Sequence, residues 1–261
     1  MSKHTFIQSN LRDNRVVRWP DGAFPVRVYI SPFRWYRAPG EEYKYKQMIL
    51  DALNAWERIS DGVVKFMVVA NLNDSQINVE WKRVDRKSLG YCHYHYDSSS
   101  RLYSAEVQIG LSDGVLHSQY MDESEVYHTI VHEIGHSLGL GHSPNKSDIM
   151  YTPHQYGVTQ IADGDKLTLN WLYRLPCGAT PKDIANKYSM HSDNIDDIIA
   201  HIIKNKPMSD FEKVKNSIRK PEKDLLEEQS KIAEINKYNL SLQNIQLSKN
   251  LEELIKKQSL E

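Results

Sequence analysis

Hydrophobic positions change their spacing several times along the chain, and each change marks an element. Phe24-Pro-Val-Arg-Val-Tyr-Ile30 alternates as a strand does, with Pro25 near its start, where a missing N–H is tolerated. From Tyr43 to Ile59 the apolar residues Met48, Ala52, Ala55, Trp56 and Ile59 recur at helical spacing. Asp61-Gly62 is a turn signal leading into a second strand, Val63 to Val69. Gln76 to Trp81 reads as a third strand, and Ala105 to Leu111 as a fourth, with Ala105, Val107, Ile109 and Leu111 on one side. A long helix then starts near Asp122 and buries Val126, Ile130, Ile134 and Leu138 before Gly139 and Gly141 end it. Asp122 with Glu125 forms a candidate capping box, and Glu123 suits the positive end of the helix dipole. Strand, helix, three strands and a long helix imply a layer of sheet crossed by a helix.

Beyond Pro176 the pattern weakens. Ile184 to Tyr188 and Ile195 to Ile203 read as short helices, and Pro207 and Pro221 interrupt the run after them. Ile232, Ile235, Tyr238, Leu242 and Ile245 share one helical stripe, while Asn239, Gln246 and Lys249 break any sustained heptad, so the end reads as an amphipathic tail helix. The expected organisation is an N-terminal tail (1–15), a globular domain (16–174), a small helical segment (175–206) and a polar helical tail (207–261). The 261 residues are 40% hydrophobic, with 15 Tyr and 5 Trp, enough for a true core.

A formal net charge of −1 gives no field that would favour nucleic acid or an anionic membrane. No stretch reaches the roughly 18–20 apolar residues of a membrane span. The first residues, MSKHTFIQSN, lack the apolar core of a secretory signal, so the chain as written reads as cytoplasmic. Two cysteines, Cys92 and Cys177, exclude a disulfide framework and leave at most one bridge.

The candidate chemistry is concentrated in His132-Glu-Ile-Gly-His136-Ser-Leu-Gly139-Leu-Gly-His142. Histidines four apart on a helix share a face about 6 Å apart along the axis, within reach of one metal ion. Glu133 stands beside the first ligand, placed for a water rather than for the metal. Gly139 lets the chain leave the helix through a left-handed turn, so that His142 can return as the third ligand. Three neutral imidazoles with an open fourth position describe a catalytic zinc site and not a closed structural one. His117, His128 and His154 lie near this motif but off its spacing, and packing or exposure is their expected role.

This segment resembles the metzincin metallopeptidases, and within them the matrixins, the family of the matrix metalloproteinases. Their pattern HExGHxLGLxHS followed by (I/L)MYP is similar to HEIGHSLGLGHS and Asp148-Ile-Met150-Tyr151-Thr-Pro153. Asp163 to Tyr173 resembles the closing helix of that domain, and the likeness spans roughly residues 16–174. It implies an α+β fold: a twisted mixed sheet with two long helices and a short C-terminal subdomain, followed by a helical C-terminal region. It implies a zinc-dependent endopeptidase with His132, His136 and His142 on one Zn²⁺, Glu133 as general base, Gly139 at the turn, Met150 as a hydrophobic floor and Tyr151 shaping the adjoining pocket. Its substrate is a protein or peptide, with a medium or large hydrophobic residue after the scissile bond, paired to the edge strand near Glu106 to Leu111. Extracellular action is expected from this resemblance alone.

Two departures from the family matter. Gly90 to Asp97 is short and reads as a loop whose His93 and His95 have too few acidic companions, so no second zinc or calcium is expected. No propeptide cysteine precedes the domain, which argues against latency by a cysteine switch. Pro176-Cys177-Gly178 resembles that switch only faintly, and at the wrong end. Tyr173 to Tyr188 also resembles the opening of a LysM module, which implies a cell-wall glycan or protein partner for the C-terminal region, against the plainer reading of capped helices. A binding protein using the peptidase fold as scaffold is the competing function, and the intact Glu133 argues against it.

Overall fold

The computed structural model describes residues 4–34, 39–83, 89–111 and 122–205. Contacts divide the chain into two compact units, 1–205 and 206–261, and all the described elements belong to the first. The expected tail helix and His117 lie outside the described residues.

Five strands form one mixed sheet: β1 (Val26–Ile30), β2 (Phe66–Val69), β3 (Ile77–Arg83), β4 (Gly90–Tyr96) and β5 (Leu102–Leu111), in the order β2-β1-β3-β5-β4. The first three pairings are parallel and the β4–β5 pairing is antiparallel. A parallel neighbour needs a crossover, and α1 (Glu41–Ile59) supplies it between β1 and β2. Alternation has its expected result in β3 and β5: Ile77, Val79 and Trp81, and then Ala105, Val107 and Ile109, all turn into the core.

α1 buries Ile49, Ala52, Leu53 and Trp56, so Ala52 and Trp56 of the expected stripe are at its centre and Met48 and Ile59 at its margins. α2 (Glu123–Ser137) lies against α1, β4 and β5 and is buried along most of its length. Three side chains fix its C-terminal half. Trp56 Nε1 donates to Val131 O at 2.9 Å, Trp19 Nε1 to Ser137 O at 2.8 Å, and Tyr173 Oη to Leu138 O at 2.9 Å. Gly135 sits where α1 and the floor of the site meet, and a Cβ there would stand 2.8 Å from Trp56 Cζ2.

α3 (Asp163–Leu172), α4 (Pro181–Lys187) and α5 (Ile195–Asn205) complete the unit. Thr180 caps α4 by accepting from Asp183 N, with Pro181 in the first turn. Asp196 of α5 clamps the N-terminal segment: its carboxylate accepts from Thr5 Oγ1 at 2.6 Å, Ile7 N at 2.8 Å and Gln8 N at 3.1 Å. Phe6 and Ile7 are buried beside these bonds.

Three expectations are corrected. Residues 90–96 are a strand and not a loop, with Tyr91 and His93 exposed while Cys92, Tyr94 and Tyr96 pack against the core. Aromatic residues on a half-buried pleat are good strand formers, and histidines interleaved with them obscured the alternation. β5 is flanked by β3 and β4, so among the described residues the edges of the sheet are β2 and β4, and residues 106–111 are not an edge. Asp122 caps α2 through Ser124 N, but the Glu125 carboxylate turns away to Gly157 N and His154 instead of closing the box. No helix among the described residues is long and apolar enough to cross a membrane.

Candidate metal centre

α2 carries His132 and His136 one turn apart, and the chain then reverses through Gly139 at φ +92°. Any Cβ at Gly139 would stand 2.8 Å from Val17 O, so both the conformation and the space require glycine. The reversal delivers His142 to the two helical histidines. His136 Nε2 lies 3.1 Å from His132 Nε2 and 3.2 Å from His142 Nε2.

These short separations have a chemical meaning. His132 Nδ1 donates to Ile149 O at 2.7 Å and His136 Nδ1 to Leu140 O at 2.8 Å. Each neutral ring therefore keeps a lone pair on Nε2. Two lone pairs facing each other at 3.1 Å repel unless a cation lies between them. Ligands on one tetrahedral Zn²⁺ at about 2.0–2.1 Å stand about 3.3 Å apart, close to what the rings adopt. Burial, joined by the neighbouring imidazoles, pushes His132 down to about 3, and burial takes His136 down to about 4. Neutral rings are the form that binds metal. The residues present fit one zinc ion, and no other group of three metal-ligating side chains converges among the described residues.

The second layer is equally specific. Asp165, fully buried, accepts from Ile149 N at 2.9 Å and Met150 N at 3.2 Å, which fixes the turn whose carbonyl at 149 orients His132. Burial pushes that carboxyl up to about 6. Met150 is fully buried against Gly135, the residue before His136. Ser143 N donates to Met150 O at 2.9 Å, so the strand after His142 is tied to the same turn. Tyr151 follows at the margin of the cleft.

Glu133 is 7% exposed, and burial raises its carboxyl to about 8. Gly90 of β4 touches it: a Cβ at 90 would stand 2.6 Å from Glu133 Cγ and 2.7 Å from Thr129 Cγ2. A cleft of about 750 Å³ opens over the four motif residues. One of its walls is β4. His128 and His154 line it as well, and so do Ser9, Asn10 and Arg12.

The packing role expected of His128 is what the structure shows, whereas sequence reasoning missed the contribution of Ser9, Asn10 and Arg12. His128 Nδ1 donates to Val158 O at 2.5 Å and its ring stacks on His132 at 6.0 Å, so it is a packed histidine behind that ring. Asn10 Nδ2 donates to Gly139 O, and Ser9 Oγ to His142 O at 3.1 Å, which holds the N-terminal segment on the turn between His136 and His142. A Cβ at Gly141 would stand 2.6 Å from Asn10 Cβ, and this explains the second glycine of the loop. The cysteines are both free, with Cys177 Sγ 3.1 Å from Ser100 O and turned to backbone carbonyls.

Three convergent imidazoles with an open side, a buried carboxylate next to the first of them, and a methionine turn beneath define a metallopeptidase centre of the metzincin type. The family model for matrixin matches residues 33–174, and the chain belongs to that family of zinc metallopeptidases. Two curated viral proteins, each provisionally named a matrix metalloproteinase, are similar to it. That of Trichoplusia ni ascovirus 2c is 25% identical over 172 residues, covering 59% of this chain and 32% of its own length. That of Heliothis virescens ascovirus 3e is 27% identical over 128 residues, covering 42% of this chain and 26% of its own. The chain thus spans about a third or less of the relatives it matches.

Proposed function

We propose that the protein is a zinc-dependent endopeptidase that hydrolyses internal peptide bonds. The observation that carries this reading is the convergence of three imidazole Nε2 atoms beside a buried carboxyl group. One zinc ion held by His132, His136 and His142 would supply a Lewis acid that polarises the peptide carbonyl and brings water towards ionisation near pH 7. Glu133 would take a proton from the attacking water and return it to the leaving amine. Its partial desolvation raises its basicity, which suits it to proton exchange near neutral pH. The Ile149 and Leu140 carbonyls hold the ligand rings in the tautomer that leaves Nε2 free. The substrate would add as a strand to β4, whose free edge borders the cleft, with backbone hydrogen bonds supplying much of the binding.

The test compares the full chain with its Glu133→Ala variant after elemental analysis for zinc, using casein and a quenched matrixin peptide. Cleavage by the parent, abolished in the variant and by a chelator, is the expected result. Protein that folds but takes up no zinc would overturn the proposal.

A further inference from the structure

Arg12 is the one Lys or Arg among the described residues lining the cleft, and it has no acidic partner among the described residues. It is not a loose surface arginine. Arg12 and Arg15 close a two-residue turn, with Arg15 N donating to Arg12 O at 2.8 Å and Arg12 N to Arg15 O at 3.1 Å. The central residues Asp13 and Asn14 have φ of 48° and 57°, the left-handed conformation that Asp and Asn tolerate best. The turn is anchored on both flanks. Upstream, Asp196 clamps residues 5–8 and Asn10 bonds to Gly139 O. Downstream, Val16 N donates to Ala179 O at 2.9 Å.

The side chain is aimed as well. Arg12 Nε donates to Tyr94 Oη at 3.1 Å, and Tyr94 Oη donates onward to Asn10 Oδ1 at 3.3 Å. With Nε committed to β4, the two terminal nitrogens of the guanidinium are left to bind a ligand, in the fork that fits a carboxylate.

We propose that Arg12 selects an acidic side chain in the part of the substrate that precedes the cleaved bond, an inference that rests on the peptidase reading above. The polarity follows from β4. This strand runs from Gly90, against Glu133, to Tyr94, against Arg12. A peptide added antiparallel, the slightly more stable pairing, runs the opposite way. Its residues before the scissile bond approach Tyr94 and Arg12, and those after it approach Gly90 and His128. Gly90 to Tyr94 spans about 13 Å at roughly 3.3 Å per residue, which puts the acidic residue within about four positions before the bond.

The experiment uses the full chain carrying Glu133→Gln and loaded with zinc, so that peptides bind without being cut. Fluorescein-labelled peptides share one sequence with Leu after the scissile position, and carry a single Glu, Ala or Lys at each of the four preceding positions. Fluorescence anisotropy should show Glu bound about tenfold more tightly than Ala at one position, an advantage that shrinks in high salt. Adding Arg12→Ala should bring that ratio to about one, Arg12→Glu should shift the preference to Lys, and Arg12→Lys should restore part of the original preference. Equal binding of the Glu and Ala peptides, a preference that survives Arg12→Ala, or no binding of any peptide would overturn the proposal. Hydrolysis by protein with Glu133 intact is scored separately, so selective binding without cleavage counts against the peptidase reading and not against this one.

Discussion

On one side of the cleft, His132, Glu133, His136 and His142 come from a single run of eleven residues. On the other, Gly90, Tyr91, Cys92 and Tyr94 meet Asn10 and Arg12 across separations of about 80 positions. The first side is specified by helix periodicity, one left-handed glycine and a turn, all short-range devices. The second exists only after β4 has paired with β5 and α5 has captured the N-terminal segment. The difference teaches where function can be read early: reactive groups are local, whereas the surface that orients a substrate is assembled over long range.

Four measurements put that contrast at risk. The largest effect belongs to the local side. Glu133→Gln should lower peptide hydrolysis by on the order of 10³ while zinc content stays at that of the parent, measured by a quenched-peptide assay and elemental analysis. A loss of zinc as large as the loss of rate would make Glu133 a structural residue instead. Next comes acid sensitivity of the metal-free protein. His132 and His136 have folded values near 3 and 4, below the ordinary imidazole value of about 6.5. The unfolded chain therefore binds more protons across that interval, and stability is fully present above about pH 6.5 and lost as pH falls towards 4 and below. Burial raises the Glu133 and Asp165 carboxyls, which works the opposite way as pH falls, so the difference between variants is what reports the rings: thermal melts of chelated protein should lose more on acidification than those of a His132→Leu variant. Equal acid dependence in the two proteins would contradict a buried, neutral His132.

Packing under the site ranks third. Gly135→Ala would drive a methyl into Trp56 and Met150, which should cost about 1–3 kcal/mol in denaturant unfolding. The smallest effect concerns the long-range side. Asp196→Ala removes three hydrogen bonds to residues 5–8 and should cost roughly 1–2 kcal/mol. Hydrogen exchange should rise at Phe6 to Arg12 and hardly at all in α2. Equal loosening of α2 would show that the two sides are not independently held.

The same contrast explains what was legible in the chain. The three histidines, Glu133, Gly139 and the Met150 turn stand at fixed short spacings, so their grouping could be read directly. α1, α2, β3 and β5 were visible because each repeats its own period over enough residues. β4 was not, because its outward positions carry Tyr91, His93 and His95, which look polar and irregular beside an ordinary strand. The edge of the sheet was consequently assigned to β5, one strand too far in. The Ser9 to Arg12 contribution left no signal at all, since a short segment of mixed polarity gains its role from partners at Gly139, Tyr94 and Asp196.

Two of the chain's five indoles, Trp19 and Trp56, donate their N–H groups to carbonyls of the helix that carries the first two ligands. The molecule therefore contains its own optical reporter. Tryptophan emission depends on how dry and how fixed the ring is, and both rings are fully buried here. Any change in the order of that helix on loading or stripping an ion would be expected to move their emission. Titrating chelator against intrinsic fluorescence would thus test the state of the centre with no substrate and no label.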